Sequence, residues 1–83
     1  MMTTSQERLV RRLIKIGGKL TLQGGIQIEC TRAPTEALWC VDQLSIRKSD
    51  KVITQYRRWQ GRDLYPAVAS RLDSLLADQE VAA

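Results

Sequence analysis

The sequence predicts a small α+β domain: a helix, a β-hairpin and two further helices (αββαα), followed by an appended C-terminal helix. Apolar residues recur at helical spacing near both ends of the chain, and they alternate with polar residues around a glycine pair at 24–25. Cap-like residues flank the segment at 49–61. The 83 residues are expected to form one domain, with a core at 5–61 and a C-terminal helix at 62–79.

The first element is predicted to be an amphipathic helix. Thr4 and Glu7 have the spacing of a capping box, and the glycine pair at 17–18 ends the helical pattern. The apolar positions expected to face the core are Leu9, Val10, Leu13, Ile14 and Ile16. The opposite face carries a basic stripe made of Arg8, Arg11, Arg12 and Lys15.

A β-hairpin is predicted next, and its register follows from the position of its apolar residues. A three-residue loop at 23–25 sets Leu22 opposite Ile26, and the same register sets Leu20 opposite Ile28. A two-residue loop would mix polar and apolar residues on each face, so we predict the longer loop. The polar face of the hairpin then consists of Lys19, Thr21, Gln27 and Glu29.

Two interpretations compete for the middle of the chain. In the helical one, Pro34 lies in the first turn of a helix that runs to about Leu44. A second helix is then capped by Ser49 and ends at Gly61. Its buried positions, spaced i, i+1, i+4 and i+7, are Val52, Ile53, Tyr56 and Trp59.

In the strand interpretation, residues 44–47 and 51–57 form another hairpin around Ser49 and Asp50. The β-branched residues at 52–54 support it. The caps and the helical spacing favour the first interpretation, so residues 50–60 are predicted to be helical.

The last helix is predicted to be capped by Asp63 and to accommodate Pro66 in its first turn. The residues expected to face the core are Tyr65, Val68, Ala69, Leu72, Leu75 and Leu76.

The composition argues against catalysis. The chain has no histidine, which removes the usual general base and the commonest metal ligand. Cys30 and Cys40 do not form a C-x-x-C motif, and there is no other Cys or His to complete a zinc site. We therefore predict a protein that is not an enzyme and needs no cofactor or metal. No run reaches the ~18 apolar residues of a membrane span, so we expect a cytoplasmic protein.

The distribution of charge suggests an anionic partner. Residues 1–62 carry twelve Lys or Arg and five Asp or Glu, for a net charge of +7, whereas residues 63–83 carry −3. The candidate nucleic-acid-binding residues are Arg8, Arg11, Arg12, Lys15, Arg57 and Arg58. The alternative is that the basic stripe is only a solvated helix face and that Tyr56 and Trp59 are core residues.

The order of parts resembles the β-hairpin docking domains at the N-termini of nonribosomal peptide synthetase subunits. The residues that carry the resemblance, within about 5–58, are Gly18, Leu20, Leu22, Gly24-Gly25, Ala33-Pro34, Ala37-Leu38 and Arg47-Lys48. The resemblance implies an αββαα core, frequent homodimers and capture of a partner's C-terminal peptide along the hairpin.

We therefore expect a non-catalytic protein-interaction module that binds a protein or peptide at the hairpin edge. The candidate partner-binding residues are Lys19, Thr21, Gln27 and Glu29. Homodimerisation is a further expectation, since a chain this short has a thin core. A small nucleic-acid-binding protein is the alternative.

Overall fold

Two helices and four strands make up the computed structural model, which describes residues 2–32, 41–59 and 63–82, the last four by backbone only. The elements are α1 (Thr4–Ile16), β1 (Gly18–Leu22), β2 (Ile26–Arg32), β3 (Val41–Lys48), β4 (Lys51–Trp59) and α2 (Tyr65–Ala82). The strands form one antiparallel sheet in the order β1-β2-β3-β4. The fold is therefore α+β, as predicted, and β1 and β4 are the two edges of its sheet.

The N-terminus of α1 is capped one residue earlier than expected. The Thr3 hydroxyl accepts a hydrogen bond from the Gln6 N–H at 3.1 Å, and the Thr3 N–H donates to Gln6 Oε1 at 2.9 Å. This reciprocal pair is a capping box, but it uses Thr3 and Gln6 instead of Thr4 and Glu7. The predicted motif is right in kind and wrong by one position.

Contacts at both ends of α1 show that it runs antiparallel to β1. At its start, Gln6 Nε2 donates to Gln23 Oε1 in the loop before β2, at 2.6 Å. At its end, Arg32 Nη1 donates to the carbonyl of Ile14 at 2.8 Å. Gly17 ends the helix with φ of 81°, and a Cβ there would lie 3.0 Å from Arg32 Cγ. A glycine is needed at this position on both counts.

The first hairpin has the predicted register. Leu22 lies opposite Ile26 and Leu20 opposite Ile28, across the three-residue turn at 23–25. Gly25 has φ of 77°, the left-handed conformation that such a turn needs, and the preceding glycine is also left-handed.

The segment from residue 41 to 59 is a second hairpin, so the predicted helix pair is wrong here. Strands β3 and β4 pair through Lys48 and Lys51, which leaves Ser49 and Asp50 as a two-residue loop. Their φ values of 51° and 69° are those of a type I′ hairpin turn, not of a helix cap. The described residues therefore do not follow the predicted αββαα order. The predicted first helix of the pair ran from Pro34 to about Leu44; its part at 34–40 lies outside the described residues, as does Gly61, and residues 41–44 belong to β3.

The core lies between the inner face of the sheet and the two helices. On β2 every second residue is buried, namely Ile26, Ile28 and Cys30. Strand β3 adds Val41, Leu44 and Ile46 to the same core, and Ser45 is buried as well. The predicted core positions of α2 are confirmed: Tyr65, Val68, Leu72, Leu75 and Leu76 are buried, and Ala69 packs partly against them.

Helix α1 buries fewer residues than its pattern predicts. Val10, Leu13 and Ile14 are buried, whereas Leu9 and Ile16 are 48% and 59% exposed. The expectation that these last two belong to the core is wrong. The physical reason is that α1 lies over the edge of the sheet.

Helix α2 covers the β4 side of the sheet. Arg71 Nε donates to Thr54 Oγ1 at 2.9 Å, and the Tyr56 hydroxyl donates to the Ala67 carbonyl at 3.5 Å. Before the helix, Asp63 Oδ1 accepts the N–H of Tyr65, which supports the predicted capping role. No described helix has the length and apolar character needed to cross a membrane.

We expect Ile28→Ala to destabilise the fold by ~2–5 kcal/mol, because Ile28 is 1% exposed at the centre of a thin core. Leu20→Ala should cost less, since Leu20 is only half-buried on an edge strand. Urea unfolding followed by circular dichroism would measure both. Val52→Ala, at a position that is 47% exposed, is the control and should change the free energy of unfolding by no more than ~0.5 kcal/mol. Equal losses for Ile28 and Val52 would contradict the placement of the core.

Candidate functional site

The four partner-binding residues predicted from the sequence lie together on the outer face of the first hairpin. Lys19 is opposite Glu29 and Thr21 is opposite Gln27, and all four are exposed. With Arg47 of β3 they line a shallow groove of about 270 Å³. The prediction that these side chains face away from the core is therefore confirmed, while their role in binding stays a prediction.

An ion pair joins the first and second strands on this face. Lys19 Nζ lies 3.7 Å from Glu29 Oε2, and the two side chains are 80% and 49% exposed. An exposed pair at this distance contributes at most ~1 kcal/mol. Its effect is to cancel the charge of the only basic residue on β1.

The outer edge of β1 has no partner strand within the described ranges. About half of its five residues direct their backbone N–H and C=O groups away from β2, since these directions alternate along an antiparallel strand. Such groups can pair with an extended segment of another chain.

The opposite edge, β4, carries features that oppose such pairing. Its nine residues include Lys51, Arg57 and Arg58 and no acidic residue. The register shifts between Ile46 and Arg47 of β3, so β4 carries a bulge there, and Arg58 has φ of 47°. Basic residues, bulges and irregular backbone are the usual means of protecting a sheet edge. The two edges are therefore chemically different, and β1 is the less protected one.

One side of α1 faces this open edge. The Arg11 guanidinium carbon lies 3.8 Å from the centre of the Tyr65 ring, which fixes the side of α1 that faces α2. Residues two apart on a helix point about 200° away from each other, so Leu9 points away from α2. Because α1 lies along β1 and α2 lies over β4, the side of α1 that faces away from α2 lies above the β1 edge of the sheet. Ile16, two turns after Leu9, lies on the same side.

Leu9 and Ile16 form an exposed apolar strip on this side of the helix, here named the α1 ridge. Arg12 lies beside the strip, but it follows the fully buried Val10 by two residues and therefore points to the solvent. Arg12 is exposed, and no ion pair to it occurs among the residues that the structure describes. Below the ridge, the half-buried Leu20 of β1 packs against the core.

The structure separates the predicted nucleic-acid-binding residues into two groups. Four lie on α1, and one of these, Arg11, stacks on Tyr65. Arg57 and Arg58 are on β4, at the other edge of the sheet and about 14 Å from β1 at the usual strand spacing. They do not form one continuous basic surface with α1.

The two aromatic residues near Arg57 and Arg58 are partly buried. Tyr56 and Trp59 pack edge to face with their ring centres 5.6 Å apart, and both lie against the core. The interpretation that they are core residues is confirmed in this respect, although they lie on a strand and not on a helix.

Two features of the described residues bear on metal binding and on thiol reactivity. No group of three His, Cys, Asp or Glu residues is close enough to hold a metal ion within residues 2–32, 41–59 and 63–82. Cys30 is buried, and burial raises the pKa of its thiol, with Arg32 opposing the shift in part. A thiol in this state is a poor nucleophile. Cys40 lies outside the described residues.

Sequence reasoning missed the exposed part of the α1 ridge, although a signal was present. At about 100° per residue, the apolar positions of α1 cover an arc of about 160°. An arc this wide can be buried only if the helix has neighbours on both flanks. A helix above an edge strand has a neighbour on one flank only, so part of the arc stays exposed.

Comparison with known proteins adds no constraint, because no family model, curated protein or solved structure matches the chain.

We expect the double charge swap Lys19→Glu with Glu29→Lys to change the free energy of unfolding by no more than ~0.5 kcal/mol, because both side chains are exposed. The swap retains the opposite-charge pair across the strands. Urea unfolding of the swapped protein beside each single variant would measure this. A loss above ~1 kcal/mol in the swapped protein would contradict the view that this pair is a surface feature with little structural weight.

Proposed function

We propose that this protein is a non-catalytic protein-interaction module that binds an extended segment of a partner along the outer edge of β1. The observation that carries the proposal is the difference between the two sheet edges. The β1 edge is open, nearly free of net charge and flanked by exposed apolar side chains. The β4 edge is basic, bulged and irregular.

The added segment would be held in two ways. Its backbone would pair with the outward-facing N–H and C=O groups of β1 and extend the sheet by one strand. Its side chains would alternate, so that one set contacts Leu9 and Ile16 of the α1 ridge and the other contacts Lys19 and Thr21 on the outer face.

Side-chain contacts should decide the affinity, because β1 is short. Five residues allow only a few backbone hydrogen bonds, each worth a net ~0.5–1.5 kcal/mol. Leu9 and Ile16 are each about half exposed, so covering them adds roughly 0.8–1.5 kcal/mol apiece, half the value for full burial. Together they correspond to about a tenfold to a hundredfold gain in affinity.

A selection from displayed random peptides on the immobilised 83-residue chain tests this proposal. We expect the selected peptides to bind at least tenfold more weakly to the double variant Leu9→Asp with Ile16→Asp, because it removes the apolar contacts and adds charge. The matched control is Val52→Asp with Ile53→Asp, at positions 47% and 38% exposed beside the other edge. This control should leave binding unchanged.

Backbone pairing is checked with the same peptides. N-methylation of the peptide residues whose N–H groups face β1 should abolish binding, whereas N-methylation of the residues between them should not. Changes in the NMR chemical shifts of the protein's backbone amides should centre on residues 18–22. Circular dichroism confirms that each variant is folded. Peptides whose binding depends on Val52 and Ile53 and ignores Leu9 and Ile16 would refute the β1 site, and so would a selection that yields no binders.

Nucleic-acid binding is the competing hypothesis, and it predicts a different result. Arg8, Arg12 and Lys15 could contact phosphates, but Arg11 stacks on Tyr65, and Arg57 and Arg58 lie at the other edge of the sheet. We therefore expect weak binding to single- or double-stranded oligonucleotides at low salt, lost near physiological ionic strength. Fluorescence anisotropy across a salt series measures this. Tight binding at physiological salt that is abolished by Arg8→Glu with Arg12→Glu would favour nucleic acid over a peptide partner.

A further inference from the structure

The edge of β1, which has no partner strand among the described residues, lies beneath the α1 ridge and forms one surface with it. We infer that the strand added at this edge is β1 of a second copy of this chain, in an antiparallel pair with a two-fold axis at Leu20. The four-stranded sheets of the two copies would then form one continuous sheet, and their α1 helices would pack against each other. This inference rests on the proposed strand addition and names the partner.

The strand and the ridge have nearly the same centre, as a shared two-fold axis requires. Only Gly17 separates Ile16 from Gly18, so the end of α1 lies level with the start of β1. From that end, the midpoint between Leu9 and Ile16 is ~5 Å along the helix, and Leu20 is ~7 Å along the strand. Both distances run in the same direction, because α1 is antiparallel to β1. An axis at Leu20 therefore sets Leu9 of each copy beside Ile16 of the other.

The distance between the two helices would suit direct packing. Helix α1 contacts both β1 and β2, so its axis runs above the space between these strands. In the joined sheets the two α1 axes would lie two strand spacings apart, or ~9.6 Å, and packed helices are about 8–10 Å apart. Two steps of sheet twist would rotate the helices by roughly −45°, close to the commonest helix crossing angle of about −50°. A second copy therefore brings a helix to the side of α1 on which Leu9 and Ile16 are exposed.

A second copy covers more of this surface than a lone peptide strand does. Leu9 and Ile16 project sideways from α1, in the layer of the helices and not in that of the sheet. A lone strand reaches that layer only with its side chains, whereas a second copy supplies an apolar partner at both positions. The half-buried Leu20 would meet the equivalent leucine on the inner face, below the two helices. The contact would then be apolar from the sheet to the helices.

Charge favours the register that is centred on Leu20. This register sets Lys19 opposite Thr21 of the second copy, on the outer face, where each Lys19 keeps its own partner Glu29. A register centred on Lys19 would instead place the two lysines directly opposite each other, which destabilises a sheet. On α1, Arg12 points to the solvent and can extend away from the equivalent arginine across the axis. Neither pair of cations therefore blocks the contact.

The area of contact sets the expected strength of the dimer. Helix α1 is ~20 Å long, and the strand and helix layers together are roughly 18 Å high. The two contact faces therefore amount to roughly 700 Å² in flat projection, and to more once their side chains interlock, whereas specific interfaces begin at about 1,000 Å² in total. We therefore expect a reversible dimer that forms at micromolar or higher concentrations of the protein.

Sedimentation equilibrium of the wild-type chain, from about 1 µM to about 1 mM, tests the inference. We expect a monomer–dimer equilibrium that added salt does not weaken, because the contact is apolar. Leu9→Lys and Ile16→Asp should each raise the dissociation constant at least tenfold. An equimolar mixture of the two variants should restore the dimer, because a mixed dimer pairs the introduced amine with the introduced carboxylate and keeps one contact between Leu9 and Ile16. The matched control is Ile53→Asp, at a position on β4 that is 38% exposed, and it should dimerise like the wild type. Circular dichroism confirms that each variant is folded.

The outcomes separate this inference from the function on which it rests. A wild-type chain that stays monomeric at about 1 mM, while selected peptides need Leu9 and Ile16, would overturn the second copy as the partner and leave edge docking intact. A dimer that neither variant weakens would also overturn the inference, because another surface would hold it together. A mixture of the two variants that fails to restore the dimer would overturn the axis at Leu20. If neither peptide binding nor dimerisation depends on Leu9 and Ile16, both the inference and the proposed function are wrong.

Discussion

The pairing of buried apolar residues between β2 and β3 is the constraint on which the rest of the structure depends. Ile28 pairs with Ile46 and Cys30 with Leu44, and all four are buried on one face. A slip of one residue in either strand would move its apolar set to the solvent side, so the register is firmly set. With the centre fixed, the order of the hairpins makes β1 and β4 the edges. Helix α1 must then lie near β1, because only Gly17 connects them.

Each edge of the sheet exposes unpaired backbone groups, and the two edges are protected to different degrees. The longer edge, β4, has a bulge and three basic residues, which suits the edge with more backbone to protect. The shorter edge, β1, has its one cation paired with Glu29 and lies beneath the α1 ridge. Under the proposed strand addition, so short an edge supplies few hydrogen bonds, so that partner choice would depend on the side chains around it. The helix that stabilises the sheet from one face would then also contact the partner.

The first hairpin could be predicted from the sequence and the second could not, for a local reason. Around the turn at 23–25 the alternation is unbroken and glycines supply the positive φ values. In β4 the bulge inserts one residue: Thr54 pairs with Ile46 and Val52 with Arg47, so Ile53 is extra. That insertion gives the apolar residues helical spacing. Ser49 and Asp50, in a turn that glycine or asparagine usually occupies, have the composition of a helix cap instead.

The helix α1 could be predicted in extent and in pattern, but not in which of its apolar residues are covered. That depends on the neighbours it meets, and only the tertiary structure shows that α2 flanks one side alone. Leu9 and Ile16 lie at the margin of the apolar arc that faces away from α2, and they stay exposed. Leaving these two exposed adds nothing to folding stability and adds a risk of association. Under the proposed strand addition, a partner strand at the β1 edge would cover these apolar groups and the backbone edge in a single step.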